Sequence, residues 1–335
     1  MRWDLGRSAI TCAGIVAVFA VILVLQGFQQ GLNTQLRRVA LDRGADLIAT
    51  QAGVSNMIGA RSAIPQMTRA QVEAVEGVRV AHPMTTLPII YEKGGRKSAL
   101  FLFVVDSAGG PTETVAGRLP ENEGEILIDR SLAQMFDLAP GDDFVVAGYT
   151  FEIAGVVRPT SALWTPFAFL NYDSLIEFYF EADLADDISA FPLLSYLLIE
   201  VEQGADPLAV AERVDAAVPD VDVYRPEAMA RNDEALGRTM LGALLTLLIA
   251  VAYVAGLLVV ALFMFTAAEG RRRDLGILMA LGFTDRAILA SIVGEMVMLV
   301  GLAIPLGLAL AYALATVTHA TMPIYLILPT VPGPL

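Results

Sequence analysis

The side chains that most often carry out catalysis are scarce in this sequence. Its single cysteine is Cys12, and its two histidines are His82 and His319. A zinc site or a cysteine–histidine nucleophile needs several such residues close together. Asp142 and Asp143 are adjacent carboxylates, but they follow a Pro-Gly turn signal, where acidic side chains usually face water. We therefore predict a non-catalytic chain that binds no metal ion and no cofactor directly.

The polar segment that points most clearly to a function is residues 269–285, EGRRRDLGILMALGFTD. Its basic cluster, Arg271 to Arg273, is followed by an apolar stripe of four side chains: Leu275, Leu278, Met279 and Leu281. This pattern predicts a short amphipathic helix that lies along the membrane surface. Such a helix can pack into a groove of a cytosolic partner.

Two interpretations of this segment compete. The arginines alone would serve as a signal of membrane topology. The small residues Gly276, Ala280 and Gly282, however, allow another helix to approach closely, and a topology signal does not require them. We therefore favour a docking helix.

The composition indicates that the elements on either side of this segment cross a membrane. Hydrophobic residues make up 56% of the chain and charged residues 17%, and the mean hydropathy is +0.60. Uncharged apolar runs at residues 9–25, 239–268 and 296–318 are each long enough to span a bilayer. We assign these three spans to domains with the bounds 1–36, 236–268 and 288–318.

The first apolar run could also belong to a secretory signal peptide, because Arg2 and Arg7 precede it. The run is longer than the apolar core of a usual signal. It also ends in Gln-Gly-Phe-Gln-Gln, which contains no small-x-small cleavage pattern. We therefore predict a retained membrane anchor.

Glu295 is a charged residue at the start of the third apolar segment. It lies about 10 Å into the third helix if that helix begins at Ile288. A charge is costly at the centre of a bilayer, but the cost is much smaller near the interface and near a helix amino terminus. For Glu295 we favour a structural role over a functional one.

The short loop at residues 269–287 sets the orientation of the chain. Its arginines place it in the cytoplasm, so the amino terminus is cytoplasmic and residues 37–235 lie outside the cytoplasm. Residues 32–238 carry 16 Lys and Arg against 31 Asp and Glu, whereas the rest of the chain carries 6 against 5. Such an acidic outer surface argues against binding of nucleic acid.

The outer segment is expected to be an α+β domain of two lobes, with a second, β-rich lobe at about residues 112–195. Thr68 is expected to cap the first helix, and Trp164, Phe167 and Phe169 to belong to the core of the second lobe. The expected strands are residues 45–49, 87–91, 99–105, 125–128, 143–147, 151–157 and 196–201. The expected helices are residues 69–75, 131–136, 174–179 and 207–217.

The cytoplasmic loop resembles that of the MacB/FtsX-like permease family of ABC transporters. The matching residues are Glu269, Arg271, Arg272, Arg273, Asp274, Leu275, Gly276, Ile277, Ala280, Leu281 and Gly282. Glu295 is similar to a family residue early in the third helix. The outer domain also resembles the family in GADL after the first helix and in GRLP, GEILID and LAPGDDFVVAGYTFEIAGVV further along. The resemblance therefore covers nearly the whole chain.

Two features depart from the family pattern. Family members have a fourth membrane helix, whereas this sequence ends in a Pro-rich stretch at residues 319–335, which we expect to be extracytoplasmic. Either the sequence is truncated, which is the expectation here, or the protein is atypical. Asp274 stands where glutamate is common. The charge is preserved there, so little consequence is expected.

The resemblance implies a half-size permease subunit in the cell membrane that works with a separate cytosolic ATPase. The sequence contains no G-x-x-x-x-G-K-[ST] motif, so ATP and Mg²⁺ would bind to the partner chain. The resemblance also implies a homodimer or heterodimer of permeases in contact with membrane lipid. A periplasmic adaptor or a cell-wall hydrolase is a further partner it allows.

Three functions remain open on these grounds. The leading one is a permease that couples ATP hydrolysis to a conformational change of the outer domain, for export or for mechanotransmission. The second is an FtsX-like regulatory subunit that activates an extracellular cell-wall hydrolase. The third is a membrane-tethered binding protein that has no ATPase.

Overall fold

A computed structural model describes residues 2–158, 160, 165–181, 193–270, 276–277 and 279–321. The chain divides into two compact units. One, the helical unit, includes Met1–Gly31 and Leu241–Ala320, and the other, the outer unit, includes Leu32–Met240.

The helices are α1 (Arg2–Leu41), α2 (Met67–Glu73), α3 (Arg130–Phe136), α4 (Tyr172–Glu181), α5 (Pro207–Ala217), α6 (Pro226–Gly237), α7 (Ala243–Gly270) and α8 (Asp285–Thr321). A π-helical segment, Arg238–Gly242, joins α6 to α7. The strands are β1 (Leu47–Gln51), β2 (Ile64–Pro65), β3 (Val78–Lys93), β4 (Arg96–Val105), β5 (Ala116–Gly117), β6 (Glu125–Asp129), β7 (Asp143–Val146), β8 (Tyr149–Val157), β9 (Phe167–Asn171), β10 (Leu193–Leu194), β11 (Tyr196–Val201) and β12 (Val221–Tyr224).

Three helices of the described chain are long and apolar enough to cross a membrane, which confirms the three expected spans. Within the helical unit they pack through glycines. A Cβ atom added to Gly14 would lie 2.7 Å from Phe263 Cε2, and one added to Gly256 would lie 2.6 Å from Val18 Cγ1. Small residues let membrane helices approach closely in this way. The large apolar side chains elsewhere on α7 and α8 are mostly exposed, as lipid contact requires.

The outer unit is built on a ten-stranded sheet with the order β12-β1-β11-β3-β4-β9-β6-β8-β5, and β7 pairs with β8. The pairs β4–β9 and β6–β8 are parallel, and the other pairs of this sheet are antiparallel. Strands β3 and β4 form a long hairpin, paired from Met84↔Val105 to Lys93↔Arg96. Gly94 and Gly95 join them with φ angles of 61° and 76°, a backbone that glycine adopts without strain.

Among the described residues of the outer unit, two apolar clusters lie in its core. One surrounds Tyr91, Phe144 and Phe151. The other surrounds Leu47, Leu197 and Val210, where α5 packs on the sheet. The α+β fold is therefore confirmed. Because one sheet runs through both clusters, the division into two lobes stays a prediction.

The expected elements agree with the structure in most places. Helix α5 has the expected bounds, and each expected strand overlaps an observed one. Phe167 and Phe169 are buried beside Phe103, as expected for core residues, while Trp164 lies outside the described residues. The cap at Thr68 is wrong. Helix α2 begins at Met67, so Thr68 is already helical and its side chain is buried.

Candidate functional site

The described part of the loop between α7 and α8 is a short helical stretch that ends in a glycine turn. Gly276, Ile277, Met279 and Ala280 are helical. The N–H of Leu281 donates to Ile277 O at 3.0 Å, and the N–H of Gly282 donates to Met279 O at 3.0 Å. Gly282 has a φ of 90°, the backbone that commonly ends a helix at glycine. The backbone conformation of this turn favours glycine at position 282, independently of any contact with a partner.

The loop exposes an apolar surface, which we call the docking face and define as Ile277, Met279, Ala280, Leu281 and Phe283. All five side chains are exposed, and Leu281 is 71% exposed. Among the described residues, nothing lies within 4 Å of a Cβ atom added to Gly276 or Gly282. No part of the described chain covers the docking face.

The remaining expected site residues lie in different settings. Glu269 is exposed in the last turn of α7. Arg271, Arg272, Arg273 and Asp274 lie outside the described residues, as do Leu275 and Leu278 of the expected apolar stripe. Glu295 lies ten residues after the start of α8, and its side chain is also outside the described part. The role of Arg271, Arg272 and Arg273 in docking to a partner therefore stays a prediction.

A second site, which sequence reasoning missed, joins the end of α1 to α6. We call it the stalk and define it as residues 32–41 of α1 together with α6. Leu36 is 1% exposed. A Cβ atom added to Gly237 would lie 2.1 Å from Leu36 Cδ1, so only glycine allows the two helices to pack this closely.

Ion pairs reinforce the stalk beside this contact. Arg37 Nη1 donates to Glu234 Oε2 at 3.1 Å, and the other oxygen of the same carboxylate accepts from Arg238 Nη2. Glu234 therefore joins a residue of α1 to the first residue after α6. Both ion pairs lie beside the close packing of Leu36 on Gly237, so charge and packing hold the same two helices together.

Helix α6 is also tied to the loop that follows β1. Asp233 is fully buried, and its Oδ1 accepts from the N–H of Met57 at 2.9 Å and of Ile58 at 3.3 Å. Tyr196 OH, on β11, donates to Met57 O at 2.9 Å. Asn232 Nδ2 donates to Ser55 O at 2.8 Å. A displacement of α6 would therefore be passed to the sheet.

The stalk gives only a weak signal in the sequence. The second apolar run, at residues 239–268, is directly preceded by Asp233, Glu234 and Gly237. The first run, at residues 9–25, is followed by more uncharged residues up to residue 36, and Arg37 comes next. Opposite charges at the outer ends of two membrane helices, with a glycine beside them, would indicate that those helices pair. The docking face presents exposed apolar side chains, whereas the stalk joins helices by packing, ion pairs and hydrogen bonds. Among the described residues, no cluster of three or more potential metal ligands occurs.

Comparisons with known proteins cover both units. Residues 9–217 match the family model of the MacB-like periplasmic core domain, and residues 246–333 match that of the FtsX-like permease C-terminal domain. An uncharacterized ABC transporter permease of Mycobacterium tuberculosis is 25% identical over 326 residues, which are 96% of this chain and 86% of the relative. A second such permease of that organism is 23% identical over 317 residues, which are 94% and 84% of the two chains.

A solved structure, the periplasmic region of MacB from Actinobacillus actinomycetemcomitans, is also similar. Its TM-score is 0.40 at 12% identity, and the match covers 57% of this chain and 94% of that one.

Proposed function

Because this chain belongs to the MacB/FtsX-like permease family of ABC transporters, we propose that it transmits the ATP hydrolysis of a separate cytosolic ATPase to its outer domain. The observation that carries this proposal is the docking face. Exposed apolar side chains on a short helix between two membrane helices suit contact with another protein. In this arrangement the loop is cytoplasmic, and so is the amino terminus.

The stalk supports the second half of the proposal. Helix α6 continues through the π-helical segment into α7, so a rotation or shift of α7 would act on α6 through the chain itself. From α6 the displacement would pass to α1 through Leu36 and Gly237, and to β11 through Asp233 and Met57. π-Helical turns often occur at functional positions in helices, and this one is a natural hinge.

The proposed assembly contains two permease chains and an ATPase that holds ATP and Mg²⁺. The permeases contribute the membrane helices, the docking faces and the outer domains, and they carry out no catalytic step. In this scheme the outer domain changes conformation when the ATPase closes on nucleotide. The change would either drive export or activate a partner outside the membrane.

Copurification tests the proposal. The full chain, tagged and expressed at its native level, is expected to bring down an ABC ATPase from solubilised membranes. An additional export adaptor would favour transport, whereas a cell-wall hydrolase would favour a regulatory subunit. Recovery of the chain with no ATPase, in mild detergent and in native lipid nanodiscs alike, would refute the coupling and favour a tethered binding protein. An untagged strain serves as the control.

A further inference from the structure

The outer unit contains an open cavity of about 610 Å³, a volume typical of small-molecule sites. Its wall combines the turn after α1, the loop after β4, and side chains from β6 and β9. The lining residues used below are Asp42, Arg43, Asp106, Leu119, Leu127 and Phe169.

The cavity wall includes a buried guanidinium group. Arg43 is only 3% exposed, and its guanidinium carbon lies 5.2 Å from the ring centre of Phe103 and 5.5 Å from that of Phe169. Its Nη1 donates to Gly109 O at 2.8 Å, and its Nε has no partner among the described residues. A guanidinium has five N–H donors, so most of the hydrogen-bonding capacity of Arg43 is unused.

Burial alone does not neutralise this group. It lowers the pKa of Arg43 to about 10, because removal from water disfavours the charged form. The side chain therefore remains a cation at neutral pH. Two aromatic rings partly stabilise it, but buried charges are normally paired with an opposite charge. The neighbouring carboxylate of Asp42 favours the charged form, but among the described residues no acidic side chain forms an ion pair with Arg43 within 4.0 Å.

The loop that closes this side of the cavity is fixed in place. Ser107 Oγ lies 3.0 Å from His82 Nδ1, and His82 Nε2 lies 3.1 Å from Glu200 Oε1. Together with the Gly109–Arg43 hydrogen bond, these contacts join the loop to strands β3 and β11. The cavity is therefore preformed, which lowers the entropy cost of binding a ligand.

The other walls restrict the ligand. Leu119, Leu127 and Phe169 make them largely apolar. Asp42 and Asp106 are exposed carboxylates that also line the cavity, and they would repel a ligand carrying several negative charges. A single negative charge on an apolar chain satisfies both conditions.

From this geometry we propose that the cavity binds a monocarboxylate carried on an apolar chain, with its carboxylate on the Arg43 guanidinium and its chain against Leu119, Leu127 and Phe169. Charge-assisted hydrogen bonds between arginine and carboxylate are among the strongest that proteins form. The site does not depend on the coupling of the permease to an ATPase. The binding experiment therefore needs no ATPase. Its outcome is independent of whether the permease is coupled to an ATPase.

Equilibrium dialysis of radiolabelled octanoate against the full chain in lipid nanodiscs tests the proposal, with empty nanodiscs subtracted. Saturable binding of one octanoate per chain is expected. Neither octanol nor inorganic phosphate at equal concentration should displace it. Arg43→Met is expected to weaken binding by about tenfold or more, because the charged hydrogen bonds are lost. Thermal unfolding of each variant checks that it is folded.

A second pair of variants keeps Arg43 in place. Leu119→Trp is expected to fill the cavity and abolish binding, whereas Val115→Trp changes an exposed side chain that does not line the cavity and should leave binding intact. The proposal is overturned if no saturable binding occurs, if octanol or phosphate displaces octanoate, or if folded Arg43→Met and Leu119→Trp bind as the unchanged chain does.

Discussion

Replacing Ala280 by aspartate is expected to remove the ATPase from the permease while the permease still inserts and dimerises. Ala280 is exposed on the docking face between Ile277 and Leu281, so a partner that covers this face would bury the new carboxylate. An unpaired charge buried at an interface costs about 2–5 kcal/mol, which corresponds to a loss of about 30-fold or more in affinity. The amount of copurifying ATPase and the ATPase activity of the purified complex measure the effect.

The control for this variant makes the same substitution seven residues later. Ala287 is also exposed, but it lies in the first turn of α8, where a negative charge is favoured by the helix dipole. Ala287→Asp is therefore expected to retain the ATPase. If Ala280→Asp retains the ATPase at the wild-type amount and keeps full ATP-dependent activity, the docking face is assigned to the wrong surface.

Replacing Gly237 by leucine is expected to uncouple the outer domain from an ATPase that still binds. Even a Cβ atom at this position would lie 2.1 Å from Leu36 Cδ1, so α1 and α6 must separate to admit a larger side chain. Overpacking of this kind costs about 1–3 kcal/mol. The separation would also disturb the Arg37–Glu234 ion pair. Copurification of the ATPase should be unchanged, because the docking face lies elsewhere in the chain.

Spin labels report on the movement directly. In a Cys12→Ser background, a label at Val115→Cys, an exposed position, gives the distance between the outer domains of a dimer. This distance should change with ATP in the otherwise unaltered complex and stay constant in Gly237→Leu. Ala235→Leu is the control, because Ala235 is exposed on the same helix. An unchanged ATP response in Gly237→Leu would show that the stalk does not transmit motion.

The sequence was sufficient for the elements whose signals are local. The three membrane helices follow from long uncharged apolar runs, and α5 follows from Asp206, which caps it, and Pro207, which begins it. Parts of β3 and β4 were expected as strands, because residues 87–91 and 99–105 are rich in β-branched and aromatic side chains. Periodicity and turn chemistry are enough for such elements.

The stalk and the cavity could not be found in this way, because each depends on residues far apart in the chain. The requirement for glycine at position 237 becomes clear only when Leu36 is seen to pack against it. Arg43 appears in the sequence as one of several basic residues after the first membrane helix, and only the fold buries it between two aromatic rings. Thr68 shows the opposite error, because the local cap pattern predicted a helix that begins at residue 69, whereas α2 begins two residues earlier, at Met67.

The most direct test of the coupling scheme is the reactivity of a single cysteine on the docking face. Leu281→Cys in the Cys12→Ser background is treated with a membrane-impermeant maleimide, in spheroplasts and in inside-out vesicles, with and without the bound ATPase. Labelling is expected only in inside-out vesicles, and the bound ATPase should prevent it. Labelling of intact spheroplasts, or labelling of inside-out vesicles that the ATPase does not reduce, would contradict the scheme.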